Sequence, residues 1–127
     1  MSDSSIRTPG PDHPITVEPS TARILVRVDG DVIADTTNSL TLREASYPPV
    51  HYIPRVDVEM RRLARTTHTT HCPYKGDASY FSIVTEGDER ENAVWSYENP
   101  NPAVEQIRGH LAFYPDRVDA IEEWPDR

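Results

Sequence analysis

Residues 22–36 read Ala22-Arg23-Ile24-Leu25-Val26-Arg27-Val28-Asp29-Gly30-Asp31-Val32-Ile33-Ala34-Asp35-Thr36, and this stretch decides the fold class. Its period is two. Ile24, Val26 and Val28 share one face, and Arg23, Leu25 and Arg27 share the other. Such alternation suits a half-buried strand and fits no helix. Asp29-Gly30 then supplies two residues that tolerate positive φ, and a second alternating run follows at once. A two-residue Asp-Gly connection between such runs predicts a tight β-hairpin.

The pattern repeats outward. Pro14 to Glu18 suits an edge strand. Thr37-Asn38 reads as a turn, and Ser39 to Glu44 alternates again with Leu40 and Leu42 on one side. Strict alternation sends Glu44 to that same apolar side, where a carboxylate is costly unless paired. Val50 to Ile53 is a short strand. Pro54 opens a short helix, with Val56, Met60 and Leu63 at helical spacing. Residues 66–76 read as a polar loop. Ser79 to Thr85 and Glu91 to Tyr97 are strands around an acidic tip at 86–89. Asn101-Pro102 caps a second short helix that ends at Gly109. Ala112 to Tyr114 and Val118 to Ile121 close the chain. The sum is about eight short strands and two short helices. It predicts a mostly β, compact single domain of short antiparallel strands, barrel- or tent-like. Residues 1–13 read as a disordered Pro-rich leader, 14–122 as the domain and 123–127 as a frayed tail.

Composition bounds the function. The 127 residues carry 13 Lys plus Arg against 21 Asp plus Glu, a formal net charge of -8. That balance argues against nucleic-acid phosphates and anionic membranes as partners. Twelve prolines segment the chain into short elements. One cysteine excludes an internal disulfide and a four-cysteine zinc ribbon. With no apolar leader and a lone thiol, the expectation is a cytoplasmic protein with no cofactor.

Several residues carry chemistry. His68, His71 and Cys72 fall within five positions and are soft metal ligands, but no second knuckle accompanies them. Cys72 is a candidate nucleophile with His71 or His68 as its base, although a small apolar filler is the commoner fate of a lone cysteine. Cys72-Pro73-Tyr74-Lys75-Gly76 reads as a tight turn presenting Tyr74 and Lys75, the latter a point charge for an anion. Tyr52, Tyr80, Trp95 and Tyr114 offer apolar bodies with polar tips, and Tyr97 shares the face of Trp95; the set suits a pocket wall or plain core. Glu44 and Glu91 both fall on apolar faces; if they converge, they share a proton or pair with Arg55 or Lys75.

Three segments carry a family resemblance: HTTHCPYKGDASYFS (68–82), ENAVWSYENPNP (91–102) and LAFYPDRVD (111–119). Together with VRVDGDVIADTTNSLTLREASYPPVHYIPRVDV (26–58), they resemble the DUF427 family from about Ile15 to Glu122. The resemblance implies a small, mostly β single domain. It brings no assigned activity, only a nucleotidyltransferase-like label. The compact fold is also similar to β-tent domains that bind zinc or small ligands, here without their four cysteines. Matching positions with functional side chains are Glu44, Tyr52, Arg55, His71, Cys72, Lys75, Trp95, Tyr97 and Tyr114. The implied roles are acid/base for Glu44 and His71, nucleophile for Cys72, and ligand contact for Tyr52, Arg55, Lys75, Trp95, Tyr97 and Tyr114. The reading is a protein that binds, or acts on, a small anionic or aromatic molecule. The alternatives are a nucleotidyltransferase-like enzyme and a non-catalytic interaction module.

Overall fold

The computed structural model describes residues 6–125. Ten strands run in chain order: β1 (Ile15–Pro19), β2 (Arg23–Val28), β3 (Asp31–Thr36), β4 (Leu40–Glu44), β5 (Val50–Tyr52), β6 (Leu63–Cys72), β7 (Gly76–Thr85), β8 (Asp88–Ser96), β9 (Ala112–Phe113) and β10 (Ala120–Trp124). They form three antiparallel sheets, ordered β1-β4-β5, β10-β2-β3 and β6-β7-β8-β9. The sheets do not close into a barrel. The β2–β3 hairpin turns on Asp29 (φ 52°) and Gly30 (φ 82°), the pair of positive φ values that matches right-handed strand twist.

Alternation along the four-stranded sheet feeds two apolar clusters. Phe81 and its partner Val94 join Ile24, Val26, Ile33, Ile83 and Phe113 against the β2–β3 sheet. Their neighbours Tyr80 and Trp95, also paired, join Leu42, Tyr52 and Tyr97 against the β1-β4-β5 sheet. The central sheet is therefore buried from both sides, and its second cluster is aromatic and polar-tipped.

Several sequence expectations change. The Pro54 segment forms two single 3-10 turns, Arg55–Asp57 and Met60–Arg62, and Leu63 already belongs to β6. Tertiary bonds break the helix: Glu59 N–H donates to the Ile33 carbonyl at 2.8 Å, and Val58 bridges to Ala34. Val56, placed at helical spacing with Met60 and Leu63 by the sequence, is 90% exposed. The polar stretch 66–76 is a hairpin, because its threonines are β-branched and extend as the edge strand β6. The second helix is a 3-10 segment, Pro102–Ile107, kinked at Val104. Residues 6–13 are not loose. Arg7 N–H donates to the Pro73 carbonyl at 2.8 Å, and Gly10 and His13 bond each other. The disordered-leader expectation for 1–5 lies outside the described residues. Glu122–Trp124 are not a frayed end but pair with β2, while 126–127 lie outside the described residues. No helix among the described residues is long and apolar enough to cross a membrane.

Candidate functional site

Glu44 is the last residue of β4, and its register opposite Ile15 turns it inward beside Leu42. Lys75 comes from the β6–β7 turn. That turn closes with the Lys75 N–H donating to the Cys72 carbonyl at 3.2 Å, and ends on Gly76 at φ 110°. A side chain at 76 would be strained by that φ, and its Cβ would meet Asn101 at 3.4 Å. Asn101 holds the turn from outside. Its side-chain amide donates to the Pro73 carbonyl at 2.9 Å, and its backbone N–H donates to the Lys75 carbonyl at 3.0 Å. The sequence casts Asn101 as a helix cap; the structure uses its amide as a clamp, with no side-chain capping bond.

So positioned, Lys75 Nζ donates to Glu44 Oε1, and each side chain is only 12% exposed. His13 Nε2 bonds the other oxygen, Oε2, at 2.7 Å. The His13 ring stacks on Tyr74 at 3.9 Å with its plane 5° away. The carboxylate thus has a donor on each oxygen. Burial works to raise its pKa, but the hydrogen bonds and charges of Lys75 and His13 outweigh burial and hold Glu44 below the ordinary glutamate range.

Beside this pair lies a cavity of about 170 Å³, walled by Tyr52, Tyr80, Trp95, Tyr97 and Tyr114. The aromatic groups are orderly. Trp95 Nε1 donates to the Tyr52 hydroxyl at 3.2 Å, and the Tyr80 and Tyr114 hydroxyls bond each other at 3.2 Å. The Lys75 ammonium sits 6.0 Å from the Tyr97 ring centre. Burial pushes the Tyr52 and Tyr97 phenols up. Burial and the Tyr80 hydrogen bond push Tyr114 up to about 12. At neutral pH these three groups keep their protons and can donate. Around one ionised carboxylate, the site is rich in donors.

Glu44, Lys75 and Trp95 thus line one concave site, together with Tyr52, Tyr97 and Tyr114. Cys72 packs, half-buried, against the same aromatic cluster. Two expected members lie elsewhere. His71 precedes Cys72 on β6, so alternation sends it to the outer face, where it pairs with its cross-strand partner Asp77 at 2.6 Å. Arg55 follows the Ile53–Leu111 bridge, bonds Glu98 at 3.2 Å and lies over Phe81. Glu91 is exposed beside the Asn92 irregularity (φ 51°) and does not approach Glu44's apolar cluster. The ring of His68 rests edge-on against Tyr80, and among the described residues no three His, Cys, Asp or Glu side chains gather as metal ligands. Tyr80, expected as a pocket aromatic, lines the cavity, and the structure adds His13, Tyr47 and Asn101. Tyr47 follows Glu44 in the turn its N–H closes onto the Glu44 carbonyl at 2.9 Å, whereas His13 and Asn101 arrive by long-range contacts.

Comparison with the curated proteins gives no match. The model of a family described as a domain of unknown function (DUF427) matches residues 16–123, and so the aromatic cavity closed by Glu44 and Lys75 belongs to a member of the DUF427 family.

Proposed function

We propose that this chain binds a small acidic molecule in the cavity beside the Glu44–Lys75 pair. The carrying observation is that pair itself, two ionised side chains each 12% exposed at the wall of an aromatic cavity. A buried ion pair is often no more stable than apolar residues of the same size, so its value is better sought in function. The cavity supplies an ammonium and tyrosine hydroxyls as donors, which suits an anionic or acceptor-rich ligand. Its volume of about 170 Å³ is close to the ~150 Å³ that holds one benzene. Size and a single carboxylate favour a small acid over a nucleotide. Cys72 contributes packing in this reading: it sits against the aromatic cluster, and His71, its expected base, faces away toward Asp77.

The test is a thermal-shift and calorimetric titration with benzoate and related aryl acids. The wild-type protein should be stabilised by mass action. Lys75→Met should weaken binding at least tenfold, and Val84→Thr on the exposed surface should leave it unchanged. Absence of any stabilisation by the acids, or equal binding in Lys75→Met, overturns the proposal.

A further inference from the structure

A second compartment lies behind Trp95. It is a cleft of about 300 Å³ with a floor of Ile24, Val26, Ile53 and Phe113. All four are buried. Around its opening stand Pro49, Val50, Pro115 and Ile121, with His51 beside them. The cleft falls between the β10-β2-β3 sheet and the β5 and β9 strands, which meet through the Ile53–Leu111 bridge.

This cleft adjoins the cavity beside Glu44 and Lys75. Trp95 and Val50 line both spaces and form the partition between them. An outer hollow of about 500 Å³ borders both, sharing Pro49, Val50 and Pro115 with the cleft and Glu44, Val50 and Lys75 with the cavity. One hollow therefore borders a charged compartment and an apolar one. A rigid proline-lined rim suits this role, because Pro48, Pro49 and Pro115 have little freedom to lose on binding.

We propose that the two compartments form one site for an amphipathic carboxylate, its head at Lys75 and its hydrocarbon tail past Val50 and Trp95 over Ile24 and Val26. This rests on the acid-binding reading and extends it to the ligand's other end. Hydrogen bonding favours an anionic head. The Lys75 ammonium has three N–H donors and gives one to Glu44, which leaves donors for that head. Size sets the tail. At ~150 Å³ per benzene, the apolar cleft takes about two such units, or a medium-length alkyl chain. A longer tail would extend beyond the rim into water and gain nothing more.

The probes are benzoate, butanoate, octanoate and dodecanoate, each titrated calorimetrically below its micelle concentration. From butanoate to octanoate, affinity should rise about fourfold per methylene, then flatten toward dodecanoate. Ile121→Trp fills the cleft and should abolish that rise. A Trp124→Phe background leaves Trp95 as the sole indole, and its emission should respond to octanoate more than to butanoate. If Ile121→Trp fails to fold, the wild-type series and the Trp95 signal decide. Equal affinity for butanoate and octanoate overturns this proposal while benzoate binding leaves the acid-binding reading intact. A chain-length gain that survives in a folded Ile121→Trp places the tail elsewhere and also overturns it. Failure of benzoate and all the alkanoates defeats both readings.

Discussion

Glu44 shows how much one residue's neighbours decide. Strand alternation directs it inward, but its charge persists there because Lys75 and His13 occupy its two oxygens. Removing one partner of a half-buried pair leaves the other uncompensated, so Glu44→Gln should cost about 2 kcal/mol at neutral pH, between the exposed and buried limits. The pH dependence has a definite sign. Its folded pKa lies below the unfolded value. Its stabilisation is therefore full well above about pH 4.3 and is lost as pH falls through the lower folded value. Urea titrations of both proteins from pH 7 to pH 3 should show their stability difference shrinking on the acid side. A constant difference would contradict the pairing. The inward position of Glu44 was legible from Leu40 and Leu42, and the Cys72–Gly76 turn pointed to Lys75. His13 was not legible, since its partner is 31 residues away and no local pattern links them.

At the scale of elements, the β6–β7 hairpin matters most. Its turn brings Lys75 to Glu44 and Tyr74 to His13, and it depends on Gly76 at φ 110°. Gly76→Ala should cost about 1–3 kcal/mol from backbone strain alone, with added crowding against Asn101 at 3.4 Å. Chemical denaturation measures the loss, and a change below a few tenths of a kcal/mol would show that the turn can relax. Turn chemistry was readable from Pro73 and Gly76. The strand leading into it was not, because the Thr- and His-rich stretch from Thr66 to His71 lacks an apolar face. β6 is an exposed edge held by backbone pairing with β7, so hydrophobic periodicity had nothing to register. The helix expected from Pro54 failed for the opposite reason. Val56, Met60 and Leu63 supplied the period, but bonds to Ile33 and Ala34 fixed the backbone otherwise.

Over the whole molecule, two sheets pack on the central β7–β8 pair of the third, and the last strand is part of that assembly. Deleting residues 121–127 removes most of β10, the Arg27–Glu122 ion pair at 2.7 Å and the Ile121 cover over Ile24 and Val26. The expected loss is about 2–4 kcal/mol from lost apolar burial. For a domain of this size that lowers Tm by roughly 10 °C. Calorimetry on the truncated chain is the check, and an unchanged Tm would restore the frayed-tail expectation. By itself the sequence determined the β class, the Asp29-Gly30 hairpin, the tight turn carrying Lys75 and the family. These follow from period two, from positive-φ turn residues and from motif spacing, all local properties of the chain. Only the tertiary structure decided which marked residues meet. It joined Glu44 to Lys75 and His13, placed Trp95 between a polar and an apolar compartment, and sent His71 and Arg55 elsewhere. Those outcomes depend on how separate sheets pack, and packing is set by contacts between residues far apart in sequence.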